Sequence, residues 1–153
     1  MRSLFDPIRL GAIGAERTAV RLSPDGTSHG VDDSAPNLVF PAAAAALSGL
    51  GIAFLELREV REPFPALRER RTTDLVRAAF KGPLVLNAGY DLASGAAVLA
   101  EGRADAVAFG RSFLANPDLP YRLAHGLELN AGDGRTHYTQ GPQGYIDYPG
   151  VHA

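Results

Sequence analysis

Four short apolar, β-prone runs recur along this chain: Thr18-Ala19-Val20-Arg21-Leu22, Ile52-Ala53-Phe54-Leu55-Glu56-Leu57, Pro83-Leu84-Val85-Leu86-Asn87 and Asp105-Ala106-Val107-Ala108-Phe109. Near-continuous apolar runs of this length read as strands buried on both faces. Between them lie stretches with helical character, residues 35–47, 67–80 and 91–101, and a further one follows over 116–125. Strand and helix alternating at this spacing predict a parallel sheet with right-handed crossovers, an α/β fold.

The punctuation agrees with that division. Asp91 opens a run that closes before Glu101-Gly102, an acid at the start and a glycine exit at the end. Asn116-Pro117-Asp118 reads as an N-cap followed by proline at the first helical position. Residues 38–55 carry no charge over nearly the length of a membrane span. Pro41, Ser48, Gly49 and Gly51 interrupt them, which favours a helix over 41–48, a Gly49-Leu50-Gly51 turn and a buried strand from Ile52.

The charge balance excludes one class of partner. Fifteen Lys plus Arg against seventeen Asp plus Glu give a formal charge of -2, too little positive field to hold a nucleic-acid backbone. No cysteine is present, so thiolate chemistry and disulfides are absent and a cytoplasmic setting is expected. The first residues, Met1-Arg2-Ser3-Leu4-Phe5-Asp6-Pro7, do not read as an export signal. His29, His125, His137 and His152 show no metal-ligand spacing, and no metal is expected. The run Arg68-Glu69-Arg70-Arg71 reads as a solvated helix face.

Two strand-end glycine turns stand out. Asn87-Ala88-Gly89-Tyr90-Asp91 follows the third run and opens a helix; Phe109-Gly110-Arg111-Ser112 follows the fourth. In such turns the backbone comes close to an anion, its N–H groups can point at phosphate oxygens, and Arg111 can add a two-pronged contact. Alone, each is most often only a turn. Paired on consecutive strand-helix units, they match the phosphate site built after the last two strands of a barrel.

Three further residues are candidates. Arg21 interrupts an apolar strand and needs a partner, either solvent, an ion pair, or an electron-rich ligand facing the cation. His137 and Tyr138 could stack on or hydrogen-bond a ring system, or serve as packing anchors.

These segments together resemble the old yellow enzyme family of FMN-dependent ene-reductases. Leu4-Phe5-Asp6-Pro7-Ile8-Arg9-Leu10-Gly11 is similar to the family's opening, residues 17–24 to its strand ending R-L-S-P, residues 55–63 to a later strand with a REP-like exit, and Asn87 to Asp91 to its AG turn. The most specific match is Ala108-Phe109-Gly110-Arg111-Ser112-Phe113-Leu114-Ala115-Asn116-Pro117-Asp118-Leu119, and Gly144-Tyr145-Ile146-Asp147-Tyr148-Pro149 is like the family's ending.

The resemblance implies a partial TIM (β/α) barrel of about four parallel units over 17–153, preceded by a short segment over 1–16. It implies FMN as cofactor, NAD(P)H as reductant and an activated alkene as substrate. Arg21 would face the N1/O2 edge of the flavin. Ala88, Gly89, Gly110 and Arg111 would hold its phosphate, and His137 and Tyr138 would flank its ring, His137 departing from the more usual aromatic.

The family's first four strands have no counterpart here, since the opening passes through Gly14-Ala15-Glu16 directly into what resembles the fifth. A whole eight-unit barrel needs about 250 residues, and this chain has 153. With those strands go the family's substrate clamp and tyrosine proton donor, so no catalytic residue is expected. Four strands cannot close into a barrel, which predicts a homo-oligomer or a complementary half-barrel as partner. Three functions stay open: a flavin oxidoreductase completed by association, an FMN- or phosphate-binding module without turnover, and a non-catalytic remnant.

Overall fold

A computed structural model describes residues 17–24, 33–59 and 66–151. The opening segment, His29, His152, residues 60–63 of the expected strand exit and the side chains of the Arg68–Arg71 run lie outside the described residues. The chain separates into two compact units, Met1–Ala108 and Phe109–Ala153.

The first unit contains β1 (Ala19–Leu22), α1 (Pro36–Leu50), β2 (Phe54–Arg58), α2 (Ala66–Ala79), β3 (Leu84–Asn87), α3 (Leu92–Ala100) and β4 (Ala106–Ala108). The strands form one parallel sheet in the order β1-β2-β3-β4. The expected alternation is therefore what the chain builds. Strand order that follows chain order, with crossovers of one hand, places the helices on one face of the sheet, as in a section of a barrel.

Each helix has a local cause. Pro36 fits the first turn of α1, where an amide would go unused, and Gly51 takes the left-handed conformation at its end (φ 68°) and donates to Ser48 O at 3.2 Å. The helix starts within a residue of the expected 35–47 stretch and runs to Leu50, so that Pro41 lies inside it rather than at the start of a helix over 41–48. Thr72 Oγ1 donates to Asn37 Oδ1 at 2.7 Å and ties α2 to α1. Asp91 caps α3, accepting from Ser94 N at 2.8 Å, while Ser94 Oγ accepts from Asp91 N at 3.0 Å.

The core lies on the helix side of the sheet. Leu55, Leu57, Leu84 and Leu86 are fully buried with Val76 and Phe80, each side chain contributing about 2 kcal/mol of transfer free energy. The other face is more open: Phe54, Glu56 and Arg58 of β2 and Asn87 of β3 are only half-buried. Arg77 braces the sheet's lower end, donating to Asp105 Oδ2 at 2.9 Å, Phe80 O at 2.6 Å and Gly82 O at 3.0 Å. No helix among the described residues is long and apolar enough to cross a membrane.

The second unit holds α4 (Arg111–Ala115), α5 (Leu119–His125) and a long tail of turns. The expected helix over 116–125 begins at Leu119, with Asp118 at the N-cap position. Asn116 does not cap it. Its amide is taken by tertiary bonds instead, donating to Ser112 O at 2.9 Å and accepting from Asn130 N at 2.7 Å.

Polar anchoring rather than a sheet holds this unit. Buried Arg122 reaches Asp118 Oδ1 (2.7 Å), Glu128 O (2.7 Å) and Pro149 O (3.1 Å). Asp118 Oδ2 accepts from Val151 N at 2.6 Å, and Asp133 N donates to the Tyr148 hydroxyl at 2.9 Å.

Candidate functional site

Residues at the carboxyl ends of parallel strands face outward from the sheet, where barrels keep their ligands. β3 ends at Asn87, whose register partners are Arg58 of β2 and Ala108 of β4. Immediately beyond, Ala88 (φ 115°) and Gly89 (φ 66°) are both left-handed in φ. Glycine adopts that conformation freely, but alanine there is strained, and strain at a strand end is characteristic of backbone shaped around a ligand. The turn passes into α3, where the Asp91 amide donates to Ser94 Oγ and the Ser94 amide to Asp91 Oδ1.

The strand-end turn after β4 opens the second unit. Gly110 stands at the N-cap position of α4, and no side chain caps this helix. Arg111 is exposed. A Cβ on Gly110 would come within 4.0 Å of the Tyr138 hydroxyl, so Gly110 and Tyr138 are brought together. The donor set here, uncapped amides and a guanidinium, fits a phosphate group.

His137 and Tyr138 differ sharply in environment. Tyr138 is 77% exposed, while the neighbouring His137 ring, edge-on to it at a centroid distance of 6.2 Å, is buried. His137 packs so closely on Gly132 that a Cβ there would lie 2.7 Å from Nε2. Neither ring nitrogen of His137 has a hydrogen-bond partner among the described residues. A buried imidazole without partners is costly; the sequence left two alternatives for these rings, contact with a ligand ring or a packing anchor.

Arg21 lies on the open face of the sheet, its side chain 51% exposed, with Nε 3.5 Å from Glu56 Oε1. Of the alternatives for this arginine, the ion pair is formed, and the rest of the guanidinium stays accessible. Glu56 also accepts from Asn87 Nδ2 at 2.9 Å. Sequence reasoning passed over Glu56, although an acid in the centre of a buried parallel strand, on the same alternation as the arginine, is a signal of its own.

A second polar group lies on the other face. Glu59 is buried and accepts from Thr73 Oγ1 at 2.6 Å and from the Tyr90 hydroxyl. Arg103 Nη2 lies 4.0 Å from Glu59 Oε1, and Arg103 Nε donates to Asp74 Oδ1 at 3.0 Å. Burial opposes the Arg103 charge, but Asp74, Glu59 and Tyr90 more than offset it and raise its pKa above the ordinary guanidinium value. This group ties the residue after β2 to α2 and to the loops on either side of α3.

Known proteins place the chain in context. The sequence model of the NADH:flavin oxidoreductase / NADH oxidase family matches residues 4–130. A putative 12-oxophytodienoate reductase 10 of Oryza sativa subsp. japonica is 38% identical over 148 residues, covering 91% of this chain and 46% of the relative. A probable flavin mononucleotide-dependent alkene reductase of Leishmania infantum is 36% identical over 150 residues, 97% of this chain and 40% of its own length. The solved structure of the old yellow enzyme homologue from Zymomonas mobilis superposes with a TM-score of 0.81 at 47% identity, covering 89% of this chain and 39% of that one. The chain thus spans less than half the length of these relatives.

Proposed function

The chain belongs to the NADH:flavin oxidoreductase / NADH oxidase family, and from that premise we propose that it forms the FMN-phosphate half of an old yellow enzyme-type ene-reductase. The observation that carries this reading is the consecutive left-handed pair Ala88–Gly89 at the end of β3. Ala108, the register partner of Asn87, is followed in the chain by Phe109 and the uncapped Gly110-Arg111 turn.

In this reading the backbone of Ala88, Gly89 and Gly110 donates to the phosphate, and the Arg111 guanidinium adds a charge-assisted fork. Arg21, on the open face, would face the electron-rich edge of the ring and stabilise negative charge there. Tyr138 and His137, whose ring nitrogens have no hydrogen-bond partner among the described residues, would flank the ring. When bound, FMN supplies hydride transfer from NAD(P)H to an activated alkene. The chain's part is to bind and orient; no residue is assigned to polarise the substrate or donate a proton.

Turnover then requires the remaining strands, supplied by a second copy or by a complementary half-barrel, which would cover the open face and the edges of β1 and β4 left unpaired among the described residues. A cytoplasmic setting fits the reducing cofactors and the lack of cysteine. The matched share of the relatives, 46% and 40%, favours one alternative, an FMN- or phosphate-binding module or a non-catalytic remnant without turnover.

The test is a visible spectrum of protein incubated with FMN and desalted, followed by anaerobic NADPH. Retained flavin absorbance that bleaches supports the reductase. Retention without bleaching leaves the binding module, and a colourless protein overturns both.

A further inference from the structure

We infer that Glu56 is a positioning residue, a single carboxylate oxygen that fixes Arg21 at the flavin edge and Asn87 at the root of the phosphate turn. The inference rests on the flavin reading above and deepens it. Glu56 sits at the middle of β2, opposite Arg21 of β1 and Val85 of β3. Its neighbours Leu55 and Leu57 point into the core and are fully buried, so residue 56 lies on the opposite face, the one that holds Arg21.

An acid there serves neither core packing nor solubility, since its side chain is only 21% exposed. Its Oε1 instead has two partners from two strands. Asn87 Nδ2 donates to it at 2.9 Å, and Arg21 Nε lies 3.5 Å away. Asn87 is the last residue of β3, directly before Ala88 with its φ of 115°. Holding the Asn87 amide fixes the plane from which the left-handed turn departs, while a contact made through Nε does not use the two terminal nitrogens of Arg21.

The arrangement has an electrostatic consequence. A carboxylate beside a guanidinium cancels part of the positive field that the guanidinium offers a ligand. Glu56 thus sets both where Arg21 points and how strongly it favours added negative charge on a bound ring. Removing the charge while keeping the acceptor shape separates the two effects, because glutamine still accepts from Asn87.

The experiment uses the full chain and its Glu56→Gln and Glu56→Ala variants. FMN affinity is measured by quenching of flavin fluorescence, and the flavin midpoint potential by anaerobic spectroelectrochemistry. The Arg21 Nε–H resonance in proton–nitrogen correlation spectra, without flavin, reports the contact itself. With Glu56→Gln the resonance shifts and the potential becomes more positive, equivalent to an increase of about three- to tenfold in the preference for reduced over oxidised FMN. Glu56→Ala additionally weakens FMN binding, through loss of the Asn87 anchor.

If wild-type protein binds FMN but Glu56→Gln moves neither the potential nor the resonance, the inference is overturned and the flavin reading stands. If wild-type protein binds no FMN, the flavin reading fails and the inference with it. A change in thermal stability alone, with potential and resonance unmoved, assigns Glu56 a packing role and also overturns the inference. Should Glu56→Ala fail to fold, the isosteric glutamine variant decides.

Discussion

Single residues carry the clearest tests of the site. Ala88 holds a φ of 115° that alanine disfavours, so Ala88→Gly should raise stability by roughly 1 kcal/mol in chemical denaturation, against the usual sign for such a change. Ala88→Val should lower it, because a branched side chain tolerates that conformation still less. Arg111 is exposed. Arg111→Ala should therefore weaken FMN binding by about tenfold or more at unchanged thermal stability, the loss of one charge-assisted contact. Equal affinity in titration would remove Arg111 from the proposed site. Of these residues, Gly89, Gly110 and Arg111 were legible as a strand-end pattern. Strain at Ala88 was not, because alanine in a sequence carries no sign of a left-handed backbone.

At the scale of elements, the two units depend on different physics. The sheet is held by apolar burial with one polar group behind it, and loss of the Glu59 carboxylate would leave the Tyr90 and Thr73 hydroxyls short of an acceptor. Glu59→Leu is expected to destabilise the first unit by about 1–3 kcal/mol. The second unit depends on the fork of Arg122, which serves Asp118 and two carbonyls at once. Lysine cannot reproduce that geometry, so Arg122→Lys should destabilise the unit nearly as much as Arg122→Ala, by about 2 kcal/mol in thermal or urea unfolding.

Acid should loosen the same unit. The Val151 amide and the Arg122 side chain hold the Asp118 carboxyl below its ordinary range, and the Arg135 side chain lowers Asp133 to about 2. A carboxyl with a lowered folded pKa contributes its stability in full above the unfolded value. That contribution disappears as pH falls toward the folded value, here from about 4 toward 2. Amide exchange at Val151 and Arg135 should accelerate across that window and stay flat above it.

For the whole molecule the open edges matter most. Among the described residues β1 and β4 each pair on one side only, and α1 exposes Leu38, Val39 and Leu50 on a helix without a single charge. Such surfaces ask for a cover. Sedimentation velocity over a range of concentrations should show association, and a well-behaved monomer throughout would argue against completion by a second copy. The same preparation tests activity, since the proposed division of labour predicts NADPH oxidation only in the associated form.

The amino-acid sequence by itself determined the alternation of strands and helices, their parallel order, most of the helix ends and the two glycine turns. These are local properties: periodicity, capping and turn chemistry are written by residues within a few positions of one another. It also carried enough of the family's motifs to identify the relatives. What only the tertiary structure decided is which side chains meet. Glu56 joins Arg21 to Asn87, Asn116 leaves its expected cap to bind Asn130, and His137 turns inward against Gly132. Each of those contacts is set by register or by the path of a tail across residues distant in sequence, and no local pattern encodes it.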